Sequence, residues 1–168
     1  MITLVKGDIT KQEVDIIVNA ANGHLAHGGG VARAIADAAG DSLVQESKEV
    51  VRNDPIQTGD VAYTTAGILR AKYVIHAVGP VYRDGDREQK DQLRSCVRKS
   101  LKLCEELGGK SIAFPAISTG IYGYPIREAA EILLSSALQS DLDIRFVLFS
   151  NQDFTIFQET LQRLTLNS

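Results

Sequence analysis

Val18-Asn19-Ala20-Ala21-Asn22, followed by His27-Gly28-Gly29-Gly30-Val31-Ala32, leads an apolar run into a glycine turn and out into an alanine-rich segment. A second stretch of this kind reads Phe114-Pro115-Ala116-Ile117-Ser118-Thr119-Gly120-Ile121-Tyr122-Gly123-Tyr124-Pro125. Glycine lets the backbone turn sharply and approach a ligand closely, because no Cβ intervenes. A helix that starts just after such a turn presents unpaired N–H groups and the positive end of its dipole. Each stretch is therefore an anion site in prospect, most often for phosphate. Two of them in a chain of 168 residues point to a ligand with two phosphates.

Working outward, residues 14–19 form a short β-branched run, as expected of a buried strand. Residues 31–39 form an alanine-rich helix that Gly40 closes. Ser42 is placed to cap a next helix through Val51, with Gln45 as its capping-box partner. Residues 1–6, 61–65, 73–78, 112–114 and 144–149 read as further strands. Leu93, Cys96, Val97, Leu101, Cys104 and Leu107 mark one face of a long helix. Ile126, Ala129, Ala130, Leu133, Leu134 and Ala137 mark another, with Pro125 at its first position, and residues 154–164 close the chain as a helix. Strands alternating with helices predict an α/β domain with a sheet covered on both faces. Ligands of such sheets bind at the carboxyl ends of strands, where both glycine stretches fall.

The composition, 44% hydrophobic and 23% charged, suits one globular domain over residues 1–168. The net charge of −3 argues against non-specific binding to nucleic acid, which rests on Lys and Arg neutralising phosphates. No apolar run is long enough to span a bilayer, and the first residues do not read as a signal peptide. An intracellular location is expected, cytoplasmic or, in a eukaryote, nuclear. Cys96 and Cys104 lie about two helical turns apart, too far for a disulfide, and are expected as buried free thiols. No Cys/His cluster has metal-ligand spacing.

Neither stretch contains the G-x-x-x-x-G-K-[ST] of a P-loop, the G-x-G-x-x-G of a dinucleotide fold or a G-x-S-x-G nucleophile elbow. Kinase, nicotinamide dehydrogenase and acyl-transfer readings are disfavoured. Gly7-Asp8-Ile9-Thr10, the Val18–Asn22 run, Gly28-Gly29-Gly30-Val31, Val74-Ile75-His76-Ala77-Val78-Gly79-Pro80 and the 114–125 segment together resemble the macrodomain family in order and spacing. The resemblance covers nearly the whole chain. It implies a three-layer α/β/α sandwich with a mixed, mostly parallel six-stranded sheet. It implies ADP-ribose as ligand, mono-ADP-ribosylated proteins as partners, a monomer and no cofactor.

Carried onto this chain, the resemblance puts adenine on Asp8 and on the backbone N–H of Ile9. The alternative for Asp8 is a turn aspartate capping local N–H groups. Gly28, Gly29, Gly30 and Val31 would wrap one side of the diphosphate, and Ser118, Thr119, Gly120, Ile121 and Tyr122 the other; Ala20 would be a further ligand-binding residue. Tyr122 could equally be an edge packing residue. Phe149, Asn151 and Phe154 fall where the family contacts adenine and the proximal ribose, although an aromatic there is often core. Asn22 would bind the distal ribose and, with Gly30, carry catalysis. Asn19 would brace the loop from inside, or both asparagines would be left-handed turn residues. His76 reads as a hydrogen-bonded core histidine, His27 as a solvent-facing loop residue, with a catalytic role beside the first loop as its alternative, and Arg33 as exposed. His24 has no assigned role.

One departure stands out. The subgroup best known for hydrolysis has an aspartate after Gly-Gly-Gly-Val, and here Ala32 and then Arg33 follow. The chain is more similar to archaeal-type macrodomains and to the first macrodomains of vertebrate multi-macrodomain ADP-ribosyltransferases. The expected activity is hydrolysis of mono-ADP-ribose from acidic side chains, with deacetylation of O-acetyl-ADP-ribose alongside. The alternative is a non-catalytic reader of ADP-ribosylated proteins.

Overall fold

Six strands pair into one sheet in a computed structural model that describes residues 1–166. They are β1 (Ile2–Lys6), β2 (Ile16–Ala21), β3 (Val61–Thr65), β4 (Tyr73–Val78), β5 (Ser111–Phe114) and β6 (Asp143–Leu148), in the order β1-β6-β5-β2-β4-β3. Every pairing is parallel except the antiparallel β3–β4. Helices α1 (Gly30–Ala39) and α2 (Asp41–Val50) cover one face. Helices α3 (Arg87–Glu106), α4 (Ile126–Ala137) and α5 (Asn151–Leu166) cover the other. The result is the expected three-layer sandwich with a mixed, mostly parallel sheet.

The strand residues are apolar in runs because both faces are buried. Along β2, Ile16 and Val18 face α3–α5 while Ile17 faces α1 and α2. On the α3–α5 side Phe114 stacks on Phe146 with ring centroids 5.2 Å apart, and Phe146 meets Phe157 at 5.9 Å. Cys96 and Cys104 are buried free thiols in this layer. No helix among the described residues is long and apolar enough to cross a membrane.

Several boundaries differ from the sequence reading. Gly40, at φ 95°, ends α1 and directly precedes α2, so α2 starts at Asp41 and the Ser42 capping box does not form. Pro125 is the N-cap of α4, not its first residue. Strand β2 runs two residues further than periodicity suggested, to Ala21, because it pairs with β4 through Val78. Helix α5 begins at Asn151, since Ser150 accepts from Asp153 N and Phe154 N through its hydroxyl and carbonyl oxygens.

Phe146 is fully buried between two other rings. Phe146→Ala is expected to destabilise the fold by about 3–5 kcal/mol, read as a lower urea midpoint.

Candidate functional site

The parallel order brings five loops to one edge of the sheet. Those after β1, β6, β5, β2 and β4 all leave from carboxyl ends, in that spatial order. Asp8 and Ile9 follow β1, Phe149 and Asn151 follow β6, and Ser118–Tyr122 follow β5. Asn22–Val31 follow β2, and Gly79 follows β4. Ala20 lies in the last turn of the β2 pleat, half-buried.

The first glycine loop is tied at its base. Asn22 Nδ2 donates to Ala26 O at 2.8 Å, and Asn22 Oδ1 accepts from Ala26 N at 3.0 Å. Asn22 therefore closes the loop with its side chain. The left-handed residue is Leu25, at φ 50°, and neither asparagine is left-handed, which corrects the turn-residue reading of Asn19 and Asn22. Leu25 accepts that conformation with its side chain buried beside Ala21 and Val78.

Gly28 N–H is taken by Ala26 O at 2.9 Å. The N–H groups of Gly29, Gly30 and Val31 have no acceptor among the described residues, and Gly29 caps α1 without a side chain. A Cβ added at Gly28, Gly29 or Gly30 would meet nothing within 4 Å. Gly30, at φ 58°, needs glycine for its backbone. Gly29, at φ −164°, is in a conformation any residue adopts. The protein's own packing gives no reason for glycine there, so its bareness keeps a space clear above three unpaired donors.

The second loop repeats the pattern. Thr119 turns inward, its N–H and hydroxyl both donating to Ala116 O. Gly120, Ile121 and Tyr122 keep their N–H groups without acceptors among the described residues, and a Cβ on Gly120 would meet open space. Tyr122 O accepts from Tyr82 N at 2.8 Å, which fixes the loop to the segment after β4. Ser118 is buried at φ 68°, and its Oγ has no partner among the described residues. Gly79 is the contact that sequence reading missed as part of the site. A Cβ there would lie 2.2 Å from Ser118 Oγ and 2.7 Å from Ile117 Cγ2.

Asp8 does the capping job that was its alternative reading. Its Oδ1 accepts from Thr10 N at 2.9 Å and Thr10 Oγ1 at 2.7 Å at the start of a 3-10 turn over Ile9–Lys11. The Thr10 hydroxyl holds its carboxyl below the usual range. Oδ2 accepts no bond from the described residues, so the carboxylate retains capacity for a ligand. The Ile9 side chain is buried. Phe149 is 85% exposed and Ile121 92%, so two large apolar side chains stand uncovered at this edge. Phe154 is half-buried against the α3–α5 core, and Asn151 is exposed.

A buried polar row lies under the first loop, on the α1–α2 face. Asn19 Nδ2 is 3.0 Å from His76 Nδ1 and 3.5 Å from His27 Nδ1. His76 Nε2 meets Thr64 Oγ1 at 3.0 Å, and His27 Nε2 meets Ser47 Oγ at 3.0 Å. His76 is the core histidine that was expected. His27 is not solvent-facing: it is half-buried and stacked on His76 with centroids 5.2 Å apart. Nothing in the local sequence around His27 announces this, because its partners come from β2, β4 and α2. Burial lowers the His27 pKa, and holds that of His76 at about 3 with help from His27. Arg33 is exposed and pairs with Asp37. No His/Cys/Asp/Glu group among the described residues could hold a metal ion.

Residues 18–133 match the family model described as Macro domain. The chain is 45% identical to the Macro domain-containing protein lmo2759 of Listeria monocytogenes over 95% of its own length and 96% of that protein's. It superposes on the Oceanobacillus iheyensis macrodomain with ADP at TM-score 0.95 and 41% identity, covering 99% of this chain and 93% of that one. It superposes on the Trypanosoma brucei macrodomain in complex with ADP-ribose at TM-score 0.82 and 34% identity, covering 94% and 68%.

Two outcomes follow from this geometry. Gly79→Ala should push Ser118 and Ile117 aside and cost about 1–3 kcal/mol in urea unfolding. The depressed pKa of His76 favours its neutral form, so its stabilisation is complete above about pH 6.5 and declines as pH falls towards about 3. From pH 6.5 to 5 the loss should be about 2 kcal/mol, and it should shrink in His76→Gln.

Proposed function

This chain belongs to the Macro domain family, and we propose that its cleft binds ADP-ribose and hydrolyses mono-ADP-ribose from acidic side chains of proteins. One observation carries the binding half. Two loops at one sheet edge present unpaired backbone N–H groups below glycines whose absent side chains leave open space. Neutral donors and a helix end suit a diphosphate, and they let a chain of net charge −3 accept an anion. The two exposed apolar side chains at the same edge, Phe149 and Ile121, would cover the nucleoside and the distal ribose.

In hydrolysis, water attacks the anomeric carbon of the distal ribose, the carbon–oxygen bond breaks, and the protein carboxylate leaves. Asn22 spends one N–H and one lone pair on Ala26 and keeps one of each for that ribose. Ala32 is buried at the start of α1 and offers no base. A phosphate oxygen of the substrate would take the proton, with the first loop fixing the geometry. In the Oceanobacillus relative an asparagine, a glycine seven residues on and an aspartate three beyond have each been substituted. Asn22, Gly29 and Ala32 repeat that spacing, with alanine in place of the aspartate. Ala32 is the observation that favours the second reading, a module that binds the mark and leaves it in place.

ADP-ribose should bind at low micromolar Kd or tighter, about −8 kcal/mol by calorimetry. Gly29→Glu should abolish binding without shifting the urea midpoint, since the side chain would enter open space and oppose the phosphates. Incubation with a mono-ADP-ribosylated protein should release free ADP-ribose. Asn22→Ala should lower turnover more than affinity, as expected of a group that acts in the transition state. Binding without release in the wild type leaves the reader module. Absence of binding at millimolar ligand contradicts both readings.

A further inference from the structure

We propose that His27 is a positioning residue: clamped between Ser47 of α2 and the buried Asn19–His76 pair, its ring fixes the first glycine loop under the diphosphate. The proposal rests on the ADP-ribose reading of the cleft.

The proton count along the row allows one arrangement for neutral rings. The Ser47 hydroxyl donates to Leu43 O at 2.8 Å, so its oxygen can only accept from His27 Nε2–H. His27 Nδ1 then carries a lone pair. The Asn19 amide has two hydrogens, one for His76 Nδ1 and one for the longer contact to His27 Nδ1. His76 in turn has its hydrogen on Nε2 and donates it to Thr64 Oγ1. The opposite orientation of the Asn19 amide would need a hydrogen on His27 Nδ1 and a donor at Nε2, and Ser47 has none left. With both imidazoles neutral, the hydrogen is therefore on Nε2 in each. The groups facing His27 are Asn19 from β2, His76 from β4 and Ser47 from α2. His76 is the titratable one among them, and burial keeps it uncharged.

This clamp matters because of what comes next in the chain. Gly28, Gly29 and Gly30 have no side chains and touch nothing that a Cβ would reach. Gly29 receives no side-chain cap. His27 is the last side chain that ties the loop to the interior before the three unpaired donors, and Ala32 is the first buried one after them. Between those anchors the backbone is the most permissive the chain can adopt. A cradle pre-set by its neighbours avoids ordering on binding, and misplacement by an ångström weakens both binding and reactivity.

Ser47 lies on α2, outside the loops, and tests the clamp at a distance. Ser47→Ala should weaken ADP-ribose affinity about tenfold by calorimetry. In amide NMR spectra it should shift Gly29, Gly30 and Val31 and leave Gly120 in place. Ser47→Thr, which returns the hydroxyl, should restore most of the affinity. Wild-type affinity in Ser47→Ala overturns the clamp while leaving the function intact. If the wild type itself does not bind ADP-ribose, the function fails, and unshifted Gly29–Val31 amides in Ser47→Ala would still overturn the clamp. If Ser47→Ala does not fold, imidazole nitrogen NMR of the wild type at pH 7 decides. A hydrogen on Nε2 of His27 supports the clamp, and one on Nδ1 contradicts it.

Discussion

Backbone N–H groups that the protein leaves without acceptors are the constraint on which this structure depends. Unpaired donors at the exposed start of a helix or turn are open to water or to an anionic ligand. Here two rows, at Gly29–Val31 and Gly120–Tyr122, lie at one edge of the sheet under space that glycine keeps clear. The arrangement suits an anion, as the proposed function requires. A basic side chain would bring charge without fixing direction, whereas backbone donors are held by the fold itself.

The rest of the molecule holds those rows in place. Parallel pairing carries both loops to one edge, and the strand order sets β5 directly beside β2. Gly79 lets β4 end close against Ser118, and Tyr82 pins Tyr122. Each loop stores one strained non-glycine residue, Leu25 and Ser118, at a cost of about 1 kcal/mol or more each. Leu25 offsets its strain by burial with Ala21 and Val78, and Ser118 sits against Gly79. At the far edge Asp15 Oδ2 accepts from Lys110 N at 2.8 Å, so the opposite ends of β2 and β5 are also tied together.

The layers and the loops were legible in the sequence because they depend on short-range signals. Apolar runs and 3.6-residue spacing marked the strands and helices, and the glycine stretches marked the loop ends. The misreadings of His27 and Gly79 involve partners far away in the chain. His27 looked like a loop residue because Ser47 and His76 are 20 and 49 positions on. Gly79 stood only as part of the 74–80 stretch, since Ser118, against which it packs, lies 39 positions away. Ser42 looked like a cap, since the sequence does not show that Gly40 joins α1 to α2 without a gap. Asp8 illustrates a different limit. Capping and ligand binding ask for the same carboxylate, and the structure shows one oxygen already used and the other open.

The central claim is that both rows of donors close on one diphosphate. Titration of isotopically labelled protein with ADP-ribose, followed through its backbone amide signals, addresses it most directly. The account predicts saturable shifts at Gly29, Gly30, Val31, Gly120, Ile121 and Tyr122, all with one dissociation constant. Unmoved signals at either row, or shifts confined to the groove lined by Thr58, Asp60, Arg87 and Ser95, would contradict it.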